Sequence, residues 1–374
     1  MNKKKIKVYL QYPWKFPDSP YYKYLVNSQP KGIEFLNTKK QKGVITNKRF
    51  FWFSNFLKRN IRRWANKLNL VIPNAHLRPK GNYDLIHCAH CLSKNKDKPW
   101  VADIESVWSM WLSGMNTKKG EEKVRKILIS KNCKKIMPWT EHTKKQILKK
   151  FPEIKDKIEV LSPAVPTQKL KRKRNRSITI LYVSRYFWVK GGLIALKVLS
   201  KIKKKYRNLV EIKFISDVPD EIKKEFSDIN INNLISQENL FKIYQETDIL
   251  FYPGIADTFG FALLEAMSFG IPIISINTND TPSRKEIVKN GKNGLIFDVD
   301  RKITRFREKD YVEMNLKIGK KVEERLFQNL SKLIENKSLR EKMLKNCQKI
   351  IKDGKFSVKV RNEKLKKIYA EALK

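Results

Sequence analysis

Twice along this chain, short apolar runs of strand length alternate with polar segments of helical period, and one basic stretch separates the two series. In the first series the strand candidates are 6–11, 70–73, 84–88, 100–104, 133–137 and 158–161, with helices expected at 121–129 and 141–151. In the second they are 178–184, 210–216, 249–252, 271–276 and 294–297, with helices at 192–203, 239–246, 260–269 and 283–288. Strands joined through helices return to the same end of a sheet and so pair in parallel. The sequence therefore predicts an α/β protein of two doubly wound, Rossmann-like domains. Two such domains facing a central cleft would present the carboxyl ends of their strands to a ligand. Helical segments at 322–334, 339–352 and 356–373 close the chain, the last with Val360, Leu365, Ile368, Tyr369 and Leu373 as a packed face.

Composition narrows the class. A chain of 374 residues that is 41% hydrophobic suits a soluble protein of two domains. No apolar run approaches the roughly 18 residues of a membrane span. Met1-Asn-Lys-Lys-Lys leads directly into a strand candidate, so no signal peptide is expected. Four scattered cysteines make no disulfide framework, and the expected compartment is the cytoplasm. The formal net charge is +44, with lysine abundant throughout. Such a field attracts any polyanion. A merely solvated basic surface, an anionic membrane and nucleic acid all remain open on this ground.

The second series holds the densest chemistry. In Asp257-Thr-Phe-Gly-Phe-Ala-Leu-Leu-Glu265 two carboxylates are separated by seven residues. Phe261, Leu264 and Phe269 recur at helical spacing, which puts Asp257 just before a helix and Glu265 two turns inside it. Two acceptor-only side chains beside free helix N–H groups suit a polyhydroxylated, anionic ligand. Upstream, Val183-Ser184-Arg185-Tyr-Phe-Trp-Val-Lys190-Gly191-Gly192 lies between a strand and a helix. Arg185 can grip a phosphate bidentately, Lys190 adds a point charge, and the glycines let backbone approach a ligand. By themselves the two cations read equally as a solvated loop.

Taken in order and spacing, Arg185…Lys190-Gly191 followed by Asp257…Phe259-Gly260…Glu265-Ala266-Met267 resembles glycosyltransferase family 4, the glycosyl transferases group 1. Asp248-Ile-Leu-Phe-Tyr-Pro253, Gly270-Ile-Pro-Ile-Ile, Glu286-Ile-Val-Lys-Asn290-Gly291-Lys-Asn-Gly294-Leu and the closing helices from Arg340 extend the likeness over the C-terminal half. The resemblance implies a GT-B fold whose C-terminal helices return to the N-terminal domain. It places domains at 1–165 and 177–353, a basic linker at 166–176 and a returning helix at 354–374. It also implies a retaining, hexosyltransferase-type enzyme of class EC 2.4, using a UDP- or GDP-sugar and no metal or other cofactor. Arg185 and Lys190 would neutralise the departing diphosphate, with Gly191 close to it. Glu265 would bind the ribose. Asp257 would bind the transferred sugar, with backbone amides around Phe259, Gly260 and Phe261. The family's first motif carboxylate is usually Glu, and it tends to carry glycines where this chain has Thr278-Asn-Asp-Thr-Pro282.

The first series is less explicit. Tyr12 to Lys23 gathers aromatic, acidic and hydroxyl groups and reads as an acceptor-side loop or a Pro-punctuated surface loop. Glu105, after Trp100-Val-Ala-Asp103-Ile, stands where many relatives place a His, and a carboxylate there could accept from an attacking hydroxyl. Asp103 is set aside as facing away. His87-Cys88-Ala-His90-Cys91 has zinc-like spacing but no second Cys pair, so no metal is expected, while His90 is a candidate cleft residue. From 50 to 68, Phe53, Phe56, Leu57, Ile61, Trp64 and Leu68 share a helical face flanked by Lys58, Arg59, Arg62, Arg63 and Lys67. That pattern fits an interfacial membrane helix or a helix packed on the sheet.

The expected protein is a cytoplasmic glycosyltransferase, peripheral on the inner face of the cell membrane. It would move sugar from a nucleotide-sugar donor to a glycan or lipid-linked acceptor, with an anionic membrane surface as partner and no specific nucleic acid. A GT-B nucleotide-sugar epimerase would use the same donor motifs without an acceptor. A basic nucleic-acid or membrane-binding protein with a vestigial donor site is the rival from another class.

Overall fold

The structure, a computed structural model, describes residues 5–12, 20–38, 48–77, 79–168, 177–300 and 307–374. Most of the expected linker, 169–176, and the middle of the aromatic loop, 13–19, lie outside the described residues. The chain forms two compact units: Met1–Ala164 with Lys355–Lys374, and Val165–Gly354.

The first unit runs β1 (Ile6–Gln11), α1 (Pro20–Asn27), β2 (Ile33–Leu36), α2 (Lys48–Lys67), β3 (Ile72–Pro73), β4 (Ala75–His76), β5 (Leu85–Ala89), β6 (Leu92–Ser93), β7 (Trp100–Ile104), β8 (Trp111–Ser113), α3 (Lys118–Ile129), β9 (Cys133–Pro138) and α4 (Glu141–Lys150). Its sheet is parallel, in the order β2-β1-β5-β7-β9. Leu85–Ala89 and Trp100–Ile104 are buried on both faces, so their apolar residues do not alternate with solvated ones, and His87 and Asp103 are buried with them. Thr117 and Thr140 accept from the backbone N–H groups of Gly120 and Thr143, fixing where α3 and α4 begin.

The second unit runs β10 (Ile178–Ser184), α5 (Gly192–Tyr206), β11 (Val210–Ser216), α6 (Asp220–Glu225), β12 (Ile231–Asn232), α7 (Gln237–Glu246), β13 (Ile249–Tyr252), α8 (Phe261–Ser268), β14 (Ile273–Asn277), α9 (Arg284–Ile287), β15 (Gly294–Asp298), α10 (Glu308–Lys317), α11 (Lys320–Glu335) and α12 (Lys337–Asp353). The parallel order is β12-β11-β10-β13-β14-β15. Counted within the unit this is 3-2-1-4-5-6, the doubly wound order of dinucleotide-binding sheets. Ile180, Tyr182, Phe214, Phe251 and Ile274 of the sheet form one core with Leu196, Leu199, Leu326 and Leu330 of α5 and α11.

The last helix, α13 (Val358–Ala372), belongs to the first unit. Ser357 caps its start. Arg361, 1% exposed, donates to the carbonyls of Tyr24 (3.3 Å) and Ser28 (2.5 Å) at the end of α1. The Tyr369 ring packs edge-on against Phe35 of β2. Burial pushes the Arg361 guanidinium down to about 10, so this anchor is a charge held by backbone carbonyls rather than by a carboxylate.

Three sequence expectations change. Residues 158–161 form no strand, because only Ile158 pairs, through a single bridge to Ile136. The strand expected at 70–73 shrinks to Ile72–Pro73, since Leu70 N–H still bonds Ala65 and finishes α2. The end of the aromatic loop is helical from Pro20, a residue suited to a first helical turn because it has no N–H to leave unpaired.

Candidate functional site

Strand order singles out one position in the second unit. Between β10 and β13 the order reverses, so the loops leaving their carboxyl ends diverge to opposite faces and open a crevice. The loop after β10 carries Arg185 and Lys190, and the loop after β13 carries Asp257. Lys190 Nζ lies 3.0 Å from Asp257 Oδ1 and donates to the Ala256 carbonyl at 2.8 Å. The two motifs separated by more than sixty residues of sequence are thereby one site.

A second cation completes it. Arg284 of α9 is 1% exposed and places NH2 3.6 Å from Asp257 Oδ2, while NH1 donates to the Gly254 and Ile276 carbonyls at 2.5 and 2.8 Å. Tyr252 donates its hydroxyl to Asp257 Oδ2 at 3.1 Å, and the Arg284 guanidinium lies over the Tyr252 ring. Burial alone would raise the Asp257 carboxyl. The charges of Lys190 and Arg284 outweigh it and hold the group below its ordinary value. Burial in turn lowers the Arg284 guanidinium, with Asp257 opposing the shift. Two cations face one carboxylate, which leaves the cluster positive. NH2 of Arg284 faces Asp257 too far off for a good hydrogen bond, and its buried Nε makes none among the described residues. A donor of that kind is costly to bury empty and suits an incoming anion. Arg284 escaped the sequence reading because one arginine among 81 Lys and Arg residues carries no signal until folding buries it.

Backbone geometry keeps the crevice floor bare. Gly191 has φ +68°, and a Cβ there would sit 2.2 Å from the Pro253 carbonyl oxygen. The β10–α5 turn and the β13 loop therefore touch main chain to main chain. Gly260, with φ +105°, stands at the N-terminus of α8, so that helix begins one residue later than expected, at Phe261. Phe259 is buried and its ring lies 5.2 Å from that of Phe261. The Thr278–Pro282 segment, without the expected glycines, is pinned to the same floor. Thr278 Oγ1 donates to the Ile255 carbonyl, Ser283 donates to the Thr258 carbonyl, and Asp257 N–H bonds Asp280.

Glu265 is 7% exposed in a helix whose other buried residues are Leu263, Leu264, Ala266, Met267 and Ser268. A carboxylate there is expensive unless paired. Gln237, the first residue of α7, donates to its Oε1 at 3.1 Å. Gln237 is a second residue the sequence did not disclose, since its role depends on α7 lying alongside α8. Arg185 is half-buried, with its guanidinium over the Tyr186 ring at 5.8 Å.

In the first unit Glu105 follows β7 and is half-buried, and its carbonyl accepts from Thr143 Oγ1. Asp103 is corrected: residues two apart on a strand share a face, and it is fully buried. Its Oδ2 meets His87 Nε2 at 2.8 Å, and His87 Nδ1 meets the Tyr369 hydroxyl at 2.6 Å. That chain of contacts ties β7 through β5 to α13. His90, with φ +58°, packs against Tyr21, Tyr22 and Trp139, 3.4 Å from Asp103. Cys88 and Cys91 are buried and directed to Gln11. No group of three metal-ligating side chains occurs among the described residues.

Solved structures of the same architecture define the class as a GT-B fold. A glycosyltransferase from Rickettsia africae superposes with a TM-score of 0.65 at 15% identity, covering 100% of this chain and 99% of that one. Anabaena HepE, in complex with UDP and glucose, gives 0.57 at 12% identity over 98% and 99%. Within that fold, residues 167–325 match the family Glycosyl transferases group 1, a span that includes Arg185, Lys190, Asp257, Glu265 and Arg284. An uncharacterized glycosyltransferase of Haemophilus influenzae is 29% identical over 181 residues, 46% of this chain. The match spans half of that relative's length. One from Methanocaldococcus jannaschii is 21% identical over 276 residues, covering 63% of this chain and 70% of its own.

Proposed function

We propose that this protein is a retaining glycosyltransferase whose second unit holds a nucleotide-sugar at the β10–β13 switch point. The observation that carries the reading is the Lys190–Asp257–Arg284 cluster, a net positive site in which the buried Arg284 Nε has no hydrogen-bond partner among the described residues. Arg185 and Lys190 receive the diphosphate, whose charge grows as the glycosidic bond breaks. Donors placed where charge develops lower the barrier more than they tighten ground-state binding. Asp257 and the amides around Phe259, Gly260 and Phe261 hold the transferred hexosyl group, and Glu265 accepts from the ribose. In the first unit Glu105 accepts a hydrogen bond from the attacking hydroxyl of a glycan, free or lipid-linked. The diphosphate takes the acceptor proton on the face it leaves, so the anomeric configuration is retained. Because several proteins of this fold were solved with UDP, UDP-sugars are the first donors to try, before GDP-sugars.

A panel of UDP- and GDP-sugars scored by thermal shift, and by nucleotide release in the presence of glycan acceptors, tests this. At least one donor is expected to raise the melting temperature and to release its nucleoside diphosphate. A panel that neither stabilises the protein nor turns over would overturn the reading. Donor binding accompanied by epimerised free sugar nucleotide would move the protein to the epimerase alternative.

A further inference from the structure

Helix α2 is built inside out. Its sequence, KRFFWFSNFLKRNIRRWANK, contains large aromatic and aliphatic residues and no acid. A helix packed on a sheet buries such residues. Among the side chains described in α2, the two that are buried are small, Ser54 and Ala65, both 6% exposed. Phe53, Leu57 and Trp64 are 61%, 51% and 62% exposed, and Ile61 and Leu68 lie on the same outward stripe. At 100° per residue these side chains fall along one line of the helix, so the exposure is a continuous face and not scattered. Arg59, Arg63 and Lys67 are exposed along its flank, and Lys67 lies over the Trp64 ring. Arg62 instead turns back over the Trp108 ring and secures the helix to the unit.

We infer that the outer face of α2 docks on an anionic lipid bilayer, with the Phe53–Leu57–Trp64 stripe in the interface and the flanking guanidinium and ammonium groups among the headgroups. Two features select a bilayer as the occupant. Charge is the first: Arg49, Arg59, Arg63 and Lys67 are exposed on a helix that carries no carboxylate, which complements a surface of uniform negative charge. Chemistry is the second. Trp and Phe beside Arg and Lys on one face match the polarity step from acyl chain to headgroup, where an aromatic body and a cationic tip are both accommodated. A second copy of this chain would bring like charge onto like charge, which disfavours a symmetric pair. The inference does not depend on the donor site.

Flotation of the full-length protein with vesicles tests it. Binding is expected to vesicles of phosphatidylcholine mixed with phosphatidylglycerol, to be weak on phosphatidylcholine alone, and to fall with salt. The Phe53→Ser/Trp64→Ser variant should lose about ten-fold or more in vesicle binding, and Arg59→Glu/Arg63→Glu a comparable amount. Both pairs are exposed, so unchanged circular dichroism and melting temperature are expected and establish that the fold survives. Vesicle binding by the apolar variant equal to wild type, or no binding by wild type, would overturn the assignment. Self-association without lipid that the same variant abolishes would give the face to a second copy instead.

Discussion

Asp257 stands between two cations in a site nearly closed to water, and its replacement would leave Lys190 and Arg284 facing each other uncompensated. Removing one partner of a buried ion pair costs about 3–5 kcal/mol, and Asp257→Asn is expected to fall near the lower end because the carboxylate is 12% exposed. The sign of the pH dependence follows from the depressed native value. The stabilisation is complete above the ordinary carboxyl value of 3.8 and is lost as pH falls from there through the native value. The difference in unfolding free energy between wild type and Asp257→Asn, followed by denaturant titration against pH, should be flat near neutrality and close in acid. Glu265 makes a separate test. Hydrogen bonds to a charged group contribute roughly 1.5–3 kcal/mol, so Glu265→Ala should weaken donor binding about 10- to 100-fold in calorimetry. Arg185→Ala should lower kcat more than it raises the donor Kd, because its charge matters most as the diphosphate departs. Wild-type turnover in that variant would remove Arg185 from the mechanism. Asp257, Glu265, Arg185 and Lys190 stood out in the sequence because their order and spacing form two short motifs, each punctuated by glycine between a strand and a helix. Arg284 and Gln237 did not, because their partners are fixed by sheet order and helix packing rather than by neighbours in the chain.

The strand–turn–helix after β10 works only if its turn has no side chain. Gly191→Ala would require a left-handed φ of an L-residue and push a methyl group into the Pro253 carbonyl. The loop carrying Lys190 would have to move. The expected outcome is a melting temperature lowered by several degrees, together with loss of the donor-induced thermal shift. At the other end of the chain, Arg361→Ala would strip the donors from the Tyr24 and Ser28 carbonyls and free α13 from α1, costing roughly 2–3 kcal/mol. Chemical denaturation reads that directly. Central parallel strands were legible to the residue: Ile6–Gln11, Trp100–Ile104, Ile178–Ser184, Val210–Ser216 and Ile249–Tyr252 form as expected, since each concentrates β-branched and aromatic residues over a strand's length. The edge strands Ile33–Leu36 and Ile231–Asn232 were not, because an edge strand is short and tolerates Glu34 or Asn232 on its open side. For α2 the hydrophobic period was plain but the direction it faced was not. Periodicity fixes a stripe and leaves open which stripe meets the fold.

Each unit has its own sheet and its own core, and Arg185, Lys190, Asp257 and Glu265, the residues proposed to hold the donor, all belong to the second. Ligand binding to a native unit stabilises that unit by mass action, about 2.7 kcal/mol at a hundred-fold excess over Kd. A saturating nucleotide-sugar is therefore expected to move one calorimetric transition upward and to leave the other near its unliganded position. A uniform shift of a single transition would mean that the two units unfold together.

The route of the chain has a consequence during synthesis. The first unit is opened by residues that emerge early and is finished by α13, which emerges only after the whole second unit. On the ribosome, the Val165–Gly354 unit can complete its core while the N-terminal sheet still waits for Arg361 and Tyr369. The unit that comes first in the sequence is thus the last to mature. For that interval its apolar α13-facing surface has no native cover, the kind of transient exposure that makes a growing chain prone to aggregate.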